Sequence, residues 1–239
     1  MLLGSRWWFY LNFLRIVFRS RSYAIKGIYN DNLWIGTSFD VFKTIERIGG
    51  RFHLRGIDNL RNIREPVVFI SNHMSTLETV VLPCIIAPFK PLTFVVKEAL
   101  VNAKVFGPIM RSRNPIVVGR ADPRRDLQVV LTQGTKLLEA GYSIMIFPQS
   151  TRYVHFIPQK FNSLGVKLAL RAGVRALPVA IKTDFWGNGK RVKDLGPIDR
   201  KKPIHMVFGK PMTITGNGSE EHKKIINFIQ TNLNKWSKD

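Results

Sequence analysis

From Arg51 onward the chain alternates short, almost wholly apolar runs with stretches in which apolar residues recur every three or four positions. That alternation narrows the fold more than any other feature. An apolar run of four to seven residues suits a strand covered on both faces, and a helical period between two such runs suits the crossover that parallel strands require. Strands are predicted at Arg51–Arg55, Val67–Ile70, Leu92–Val96, Pro115–Val118, Ser143–Phe147, Ala176–Lys182 and Ile204–Phe208. Helices are predicted at Ser75–Ala87, from the Asp122-Pro123 cap to Glu139, at Phe161–Arg171, and from Ser219 with Ile225, Ile229, Leu233 and Trp236 on one side. The expected fold class is α/β, a mixed and largely parallel sheet flanked by helices. The stretch Phe185–Lys202, rich in Gly, Asp and Lys, reads as a long surface loop.

The first 50 residues have a different character. Trp7, Trp8, Phe9, Tyr10, Phe13 and Phe18 crowd one segment with no acidic residue before Asp31. At 100° per residue, Asn12, Arg15 and Arg19 share a narrow stripe, and Trp7, Phe9, Tyr10, Phe13, Leu14, Val17 and Phe18 cover most of the rest. A helix from Trp7 to Phe18 rises only about 18 Å. That is too short to cross a bilayer, which takes about 20 apolar residues. A broad apolar arc with Trp and Tyr beside a thin Arg stripe fits a helix lying in the headgroup layer. The competing reading is a helix docked on the protein's own core; a secretory signal is disfavoured, because no A-x-A-like site follows. A second helix is predicted from about Leu33 to Ile48, stopped by Gly49-Gly50. The expected division is therefore an amphipathic, membrane-docking element over 1–50 and a second domain over 51–239.

Charge sharpens the question of partners. Lys and Arg number 37 against 16 Asp and Glu, a formal net charge of +21. An anionic partner follows: nucleic acid, an acidic protein, anionic lipid or a phosphorylated substrate. A nucleic-acid-binding protein would carry a helix dense in Lys and Arg or an aromatic platform, and neither is written here, so no nucleic acid is expected. The single cysteine, Cys84, excludes a disulfide framework and a Cys-rich zinc site. His53, His155, His205 and His222 lack ligand spacing, so no metal site is expected.

Several strand ends carry residues suited to chemistry. After Val67–Ile70 come Ser71-Asn72-His73-Met74-Ser75-Thr76-Leu77-Glu78. On one helix, residues five apart diverge by about 140°, so His73 and Glu78 meet only if His73 precedes the helix. Ser75-x-x-Glu78 is a capping box that starts the helix at Ser75 and leaves His73 in the turn. Glu78 then either merely caps, or also fixes the His73 tautomer as in a general-base dyad. Phe147-Pro148-Gln149-Ser150-Thr151-Arg152 follows another strand, where Arg152, the Ser150 and Thr151 hydroxyls and turn amides can grip a phosphate. Lys97 closes Leu92–Val96, and Arg120 closes Pro115–Gly119. Open α/β sheets bind ligands at the carboxyl ends of their strands, and four successive ends here carry His, Lys, Arg and Arg.

With these blocks in hand the chain resembles the glycerolipid (lysophosphatidate, PlsC-like) acyltransferases over about residues 65–185. The resemblance rests on the order of Asn72-His73-x4-Glu78, Lys97 through Gly107 to Ile116–Arg120, Phe147–Arg152, and Leu177-Pro178-Val179. It implies the glycerolipid acyltransferase fold and transfer of an acyl chain from acyl-CoA or acyl carrier protein to the free hydroxyl of a lysophospholipid, 1-acylglycerol-3-phosphate above all. It implies no other cofactor, His73 as general base with Glu78, and Lys97, Arg120 and Arg152 on the acceptor phosphate. Asn72, Ser75, Gln149, Ser150 and Thr151 take supporting roles. Two helices docked on the membrane, at its cytoplasmic face, are also similar to bacterial members. The family usually has Asp where this chain has Glu78, and Glu-Gly where it has Gln149-Ser150, so the acceptor headgroup is left open.

An alcohol is a poor nucleophile at neutral pH, so a base must take its proton as it attacks the thioester carbonyl. Turn amides near Ser75 are the expected donors to the developing oxyanion. Cys84, beside Ile85 and Ile86, reads as core and not as an acyl-cysteine nucleophile, and Ser75 lacks a G-x-S-x-G elbow. An inactive lipid-binding relative on the same fold is the third reading, because Gln149 and Ser150 depart from the pattern.

Overall fold

The computed structural model describes residues 5–149, 151–190 and 192–237. In chain order, α1 (Arg6–Ile25) and α2 (Asp31–Arg47) precede β1 (Phe52–Arg55) and the single turn α3 (Asp58–Arg61). Next come β2 (Val68–Ser71), α4 (Leu77–Ile86), β3 (Leu92–Lys97), α5 (Glu98–Val101), α6 (Gly107–Arg111) and β4 (Ile116–Val118). The chain continues with α7 (Pro123–Glu139), β5 (Ser143–Ile146), α8 (Leu164–Ala172), β6 (Ala176–Lys182), β7 (Ile204–Phe208) and α9 (Ser219–Trp236).

The seven strands form one sheet in the order β1-β7-β6-β2-β5-β3-β4. Every neighbouring pair is parallel except β6 and β7. The expected mixed, largely parallel sheet is therefore the one observed. The five strands β6, β2, β5, β3 and β4 run the same way, so their carboxyl ends line one edge.

Alternation along the central strands feeds two cores. Phe69, Met145, Leu177, Val179 and Ile181 join a cluster with α1, α2 and α4, whereas Val68, Ile70, Ile144 and Ile146 join one with α7, α8 and α9. Strands buried on both faces read as continuous apolar runs, which is why the sequence signals them so strongly. Gly165 lets α8 settle directly on β2, since a Cβ there would lie 2.7 Å from Ile70.

The N-terminal helices belong to the same packing. Phe9, Tyr10, Phe13 and Val17 of α1 are buried in the first cluster, while Trp7 is 77% and Phe18 53% exposed. One face of this helix is thus docked on the protein's own core, and another leaves large apolar side chains exposed. An Arg19–Asp40 ion pair ties α1 to α2. The link from α2 to α4 is less usual. Ser38 Oγ accepts from the Cys84 amide at 3.0 Å and donates to the Val80 carbonyl at 2.7 Å. Pro83 inside α4 has no amide to give, and beside it the Ser38 hydroxyl bridges the Val80 carbonyl and the Cys84 amide. No described helix is long and apolar enough to cross a membrane.

Some expectations need correction. Phe185–Lys202 is not simply a surface loop, because Phe185 and Trp186 are fully buried and Trp186 pairs with Ile198. The Trp186 ring sits edge-on to Phe9 at 4.9 Å and to Phe13 at 5.0 Å, a partner for α1 that composition conceals. Helix α8 starts at Leu164 and not at Phe161, since Asn162 Oδ1 takes the Leu164 amide at 3.0 Å and a 3-10 turn over Pro158–Lys160 precedes it. Helix α4 starts at Leu77, two residues later than the capping box placed it.

Candidate active site

That late start of α4 is what builds the site. Thr76 stands at the cap without capping the helix through its side chain, and the turn before it wraps around the Glu78 carboxylate. Oε1 of Glu78 accepts from the Met74 amide at 2.6 Å and the Ser75 amide at 2.8 Å, and lies 2.8 Å from His73 Nδ1. Oε2 accepts from Ser75 Oγ at 2.9 Å and Thr183 Oγ1 at 2.6 Å. The carboxylate both caps the turn and orients the imidazole, so the two readings of Glu78 are one structure. Burial alone would raise the Glu78 pKa, but the His73 hydrogen bond and charge, with Thr183 and the Ser75 amide, hold it below the ordinary value. An ionised Glu78 can only accept, so Nδ1 of His73 carries the proton and Nε2 is left as the basic nitrogen. The ring is fixed from behind by Phe147, stacked at 4.4 Å.

His73 opens onto a cleft of about 530 Å³ along the strand ends. Lys97, Arg120 and Arg152 line the same cleft, as do Arg113 and Lys167, which local sequence does not single out. The four strand-end residues expected to act together are therefore brought together. Arg120 adopts φ 67°, a left-handed conformation held by Asp126, which takes the Gly119 and Arg120 amides at 3.0 and 2.8 Å. Arg152 pairs with Asp194 Oδ1 at 2.8 Å. Between these cations the wall is apolar, with Trp34, Phe94, Val96, Leu100, Phe106 and Met110 facing the cleft.

The supporting residues sit behind this surface. Asn72 uses its amide group as an extra strand rung, donating to the Ile181 carbonyl at 2.8 Å and accepting from the Ile181 amide at 3.0 Å. Gln149 is buried and takes the His73 amide on Oε1 at 3.3 Å. The Thr151 amide turns back to the Gln149 carbonyl at 2.7 Å, and the Thr151 side chain is not among those lining the cleft. Ser150 lies outside the described residues. Of the amides near Ser75 expected to serve an oxyanion, those of Met74 and Ser75 donate to Glu78 and that of Leu77 donates to Ser75 Oγ, so these three are spent inside the turn.

Two further residues, Thr183 and Asp194, join the site from distant parts of the chain. Thr183 follows β6, and nothing local marks it; only the placement of β6 beside β2 brings its hydroxyl to Glu78. Cys84 is half-buried, donates to the Val81 carbonyl at 3.1 Å, and burial pushes its thiol up to about 11. A thiol so rarely ionised is a poor nucleophile. Among the described residues no group of three or more His, Cys, Asp or Glu is placed to hold a metal ion.

Known proteins share this fold and parts of this sequence. A family model described as Acyltransferase matches residues 51–182. A 1-acyl-sn-glycerol-3-phosphate acyltransferase from Pseudomonas aeruginosa is 32% identical over 181 residues, 75% of this chain and 66% of that protein. The chloroplastic LPAT1 enzyme of the same name from Arabidopsis thaliana is 27% identical over 59% of this chain and 37% of its own length. The chain thus spans between about a third and two thirds of these relatives. The crystal structure of the 1-acyl-sn-glycerophosphate acyltransferase PlsC from Thermotoga maritima shares the fold, with a TM-score of 0.69 at 18% identity over 97% of this chain and 94% of that one.

Proposed function

The chain belongs to the acyltransferase family, and we propose that it moves a fatty acyl group from an acyl thioester to the free hydroxyl of a lysophospholipid, most directly 1-acylglycerol-3-phosphate, giving phosphatidate. The observation that carries this reading is the contact between His73 Nδ1 and Glu78 Oε1 at the mouth of a cleft that also holds Lys97, Arg120 and Arg152.

The chemistry follows from proton bookkeeping. His73 Nε2 takes the acceptor's hydroxyl proton as its oxygen attacks the thioester carbonyl. The imidazolium that forms is stabilised by the buried Glu78 carboxylate and then returns its proton to the departing thiolate. Phosphate oxygens on the acceptor pair with the guanidinium and ammonium groups, which fixes the distance from headgroup to reacting hydroxyl. The apolar wall from Trp34 to Met110 takes a fatty tail. The relatives named for this reaction support the same acceptor.

The enzyme works at a membrane surface, on the cytoplasmic face, with α1 lying in the headgroup layer. Supporting this are the exposed Trp7, Leu11, Leu14 and Phe18, which form a stripe beside the helix's buried face, and a formal charge of +21 to attract anionic lipid. Either acyl-CoA or acyl carrier protein serves as donor. The test is to incubate purified protein with labelled acyl-CoA or acyl carrier protein and a panel of lysolipids, and to identify the product. Labelled phosphatidate is the expected result; hydrolysis of donor with no acylated lipid, or no turnover at all, overturns the proposal.

A further inference from the structure

Two carboxylates line the cleft: that of Asp126 is taken up by the Gly119 and Arg120 amides, whereas that of Asp194 faces one of the cations proposed to hold phosphate. Asp194 comes from the segment between β6 and β7 and reaches the cleft wall with its side chain about one-third exposed. Its Oδ1 lies 2.8 Å from Arg152 Nη2 and accepts from Thr76 Oγ1 at 2.7 Å. The same segment supplies Asn188, whose Nδ2 donates to the Met74 carbonyl at 2.9 Å. Asp194 is therefore anchored to both turns that carry the reactive groups, the one holding His73 and the one holding Arg152.

We propose that Asp194 is a specificity-determining residue that, by pairing with Arg152, sets how much negative charge an acceptor headgroup must bring into the cleft. The proposal rests on the acyl-transfer reading above. A headgroup with a single negative charge exchanges one ion pair on Arg152 for another and gains little from it. A phosphomonoester carries close to two charges at neutral pH and three terminal oxygens. It can replace the Asp194 oxygen on Arg152 and still engage Lys97 or Arg120. A neutral headgroup leaves the Arg152–Asp194 pair closed. Charge discrimination then comes from an element that penalises the wrong partner, as well as from cations that attract the right one.

The test compares wild type, Asp194→Asn and Asp194→Glu on three acceptors with one acyl chain: 1-acylglycerol-3-phosphate, a lysophosphatidylglycerol and a monoacylglycerol. Asp194→Asn removes the competing charge but keeps a group that Thr76 can bond. In that variant the ratio of kcat/KM for the phosphomonoester over the phosphodiester falls about tenfold, mainly through a lower KM for the diester, as suits loss of one partly exposed ion pair. Asp194→Glu keeps the wild-type ratio. A variant that loses rate on all acceptors in proportion would show Asp194 to be merely structural and overturn the proposal, as would an Asp194→Glu ratio matching that of Asp194→Asn. Wild type that transfers to none of the three removes the acyl-transfer reading instead. The inference is then decided by the relative binding of the same two charged lysolipids to wild type and Asp194→Asn, where an unchanged ratio overturns it.

Discussion

Thr183 and Glu78 stand 105 positions apart in the chain, yet the Thr183 hydroxyl donates to Glu78 Oε2 at 2.6 Å. The carboxylate beneath His73 is thus held from two strands at once, β2 through its own turn and β6 through Thr183. Replacing Thr183 with Val keeps the shape and deletes that donor. A hydrogen bond to a buried charged group is worth about 1.5–3 kcal/mol, so we expect kcat to fall roughly ten- to hundredfold by the same magnitude, with KM little changed. Thr183→Ser should restore most of the loss. Steady-state kinetics of the two variants check this.

His73→Ala should remove transfer, with a drop of at least about 10²–10⁴ in kcat, while thermal unfolding and vesicle association stay close to wild type. Full activity in that variant would refute the assignment of the base.

Glu78 gives a pH signature in stability. Its folded pKa lies below the ordinary value, so it contributes stability that is complete above the unfolded pKa of about 4.3 and is lost as pH falls through the lower folded value. Glu78→Gln has no such titration. The gap in Tm between wild type and Glu78→Gln should therefore narrow as pH drops from about 6 to about 3. A gap that stays constant or widens would mean that Glu78 is not held ionised in the fold.

Arg152→Ala, Lys97→Ala and Arg120→Ala should each raise KM for 1-acylglycerol-3-phosphate by about tenfold or more, since each removes a cation that the proposed function sets against the acceptor phosphate. Their kcat values should change less. The same variants should leave KM for the acyl donor near wild type, which a general loss of folding would not do.

The two faces of α1 separate by mutation. Changing Trp7, Leu11 and Phe18 together to Ser touches only exposed side chains, so Tm should hold. Vesicle co-sedimentation should fall by well over tenfold, given about 1.5–3 kcal/mol for each large apolar side chain transferred. Phe13→Ser, by contrast, strikes the contact with Trp186 and should unfold the protein at lower temperature, by about 3 kcal/mol or more. Removing the whole helix would expose Trp186 and confuse the two effects.

What the sequence discloses and what it conceals divide along physical lines. His73, Lys97, Arg120 and Arg152 were legible because each follows an apolar strand directly, and strand ends of a parallel sheet share one edge. Glu78 was legible because its spacing from Ser75 is a local signal. Thr183, Arg113, Lys167 and Asp194 reach the site through strand order and loop return, which no short window records. Trp186 gives little local signal because it stands with Phe185 alone in an otherwise polar, glycine-rich stretch, and the helix that covers it is nearly 180 residues upstream. The exact start of α4 escaped because Ser75 and Glu78 spend their bonds on the turn, leaving Thr76 to begin the helix.

Trp186 carries one more consequence. The segment that it pins under α1 also gives its Leu195 and Gly196 carbonyls to Arg6 and Tyr10, at 3.1 and 2.5 Å, and Asp194 immediately precedes Leu195. The first helix is accordingly no detachable tag. Grafting a foreign helix in its place would unseat the segment that holds Asp194, so hybrids of this protein with its relatives must exchange helix and segment as a pair.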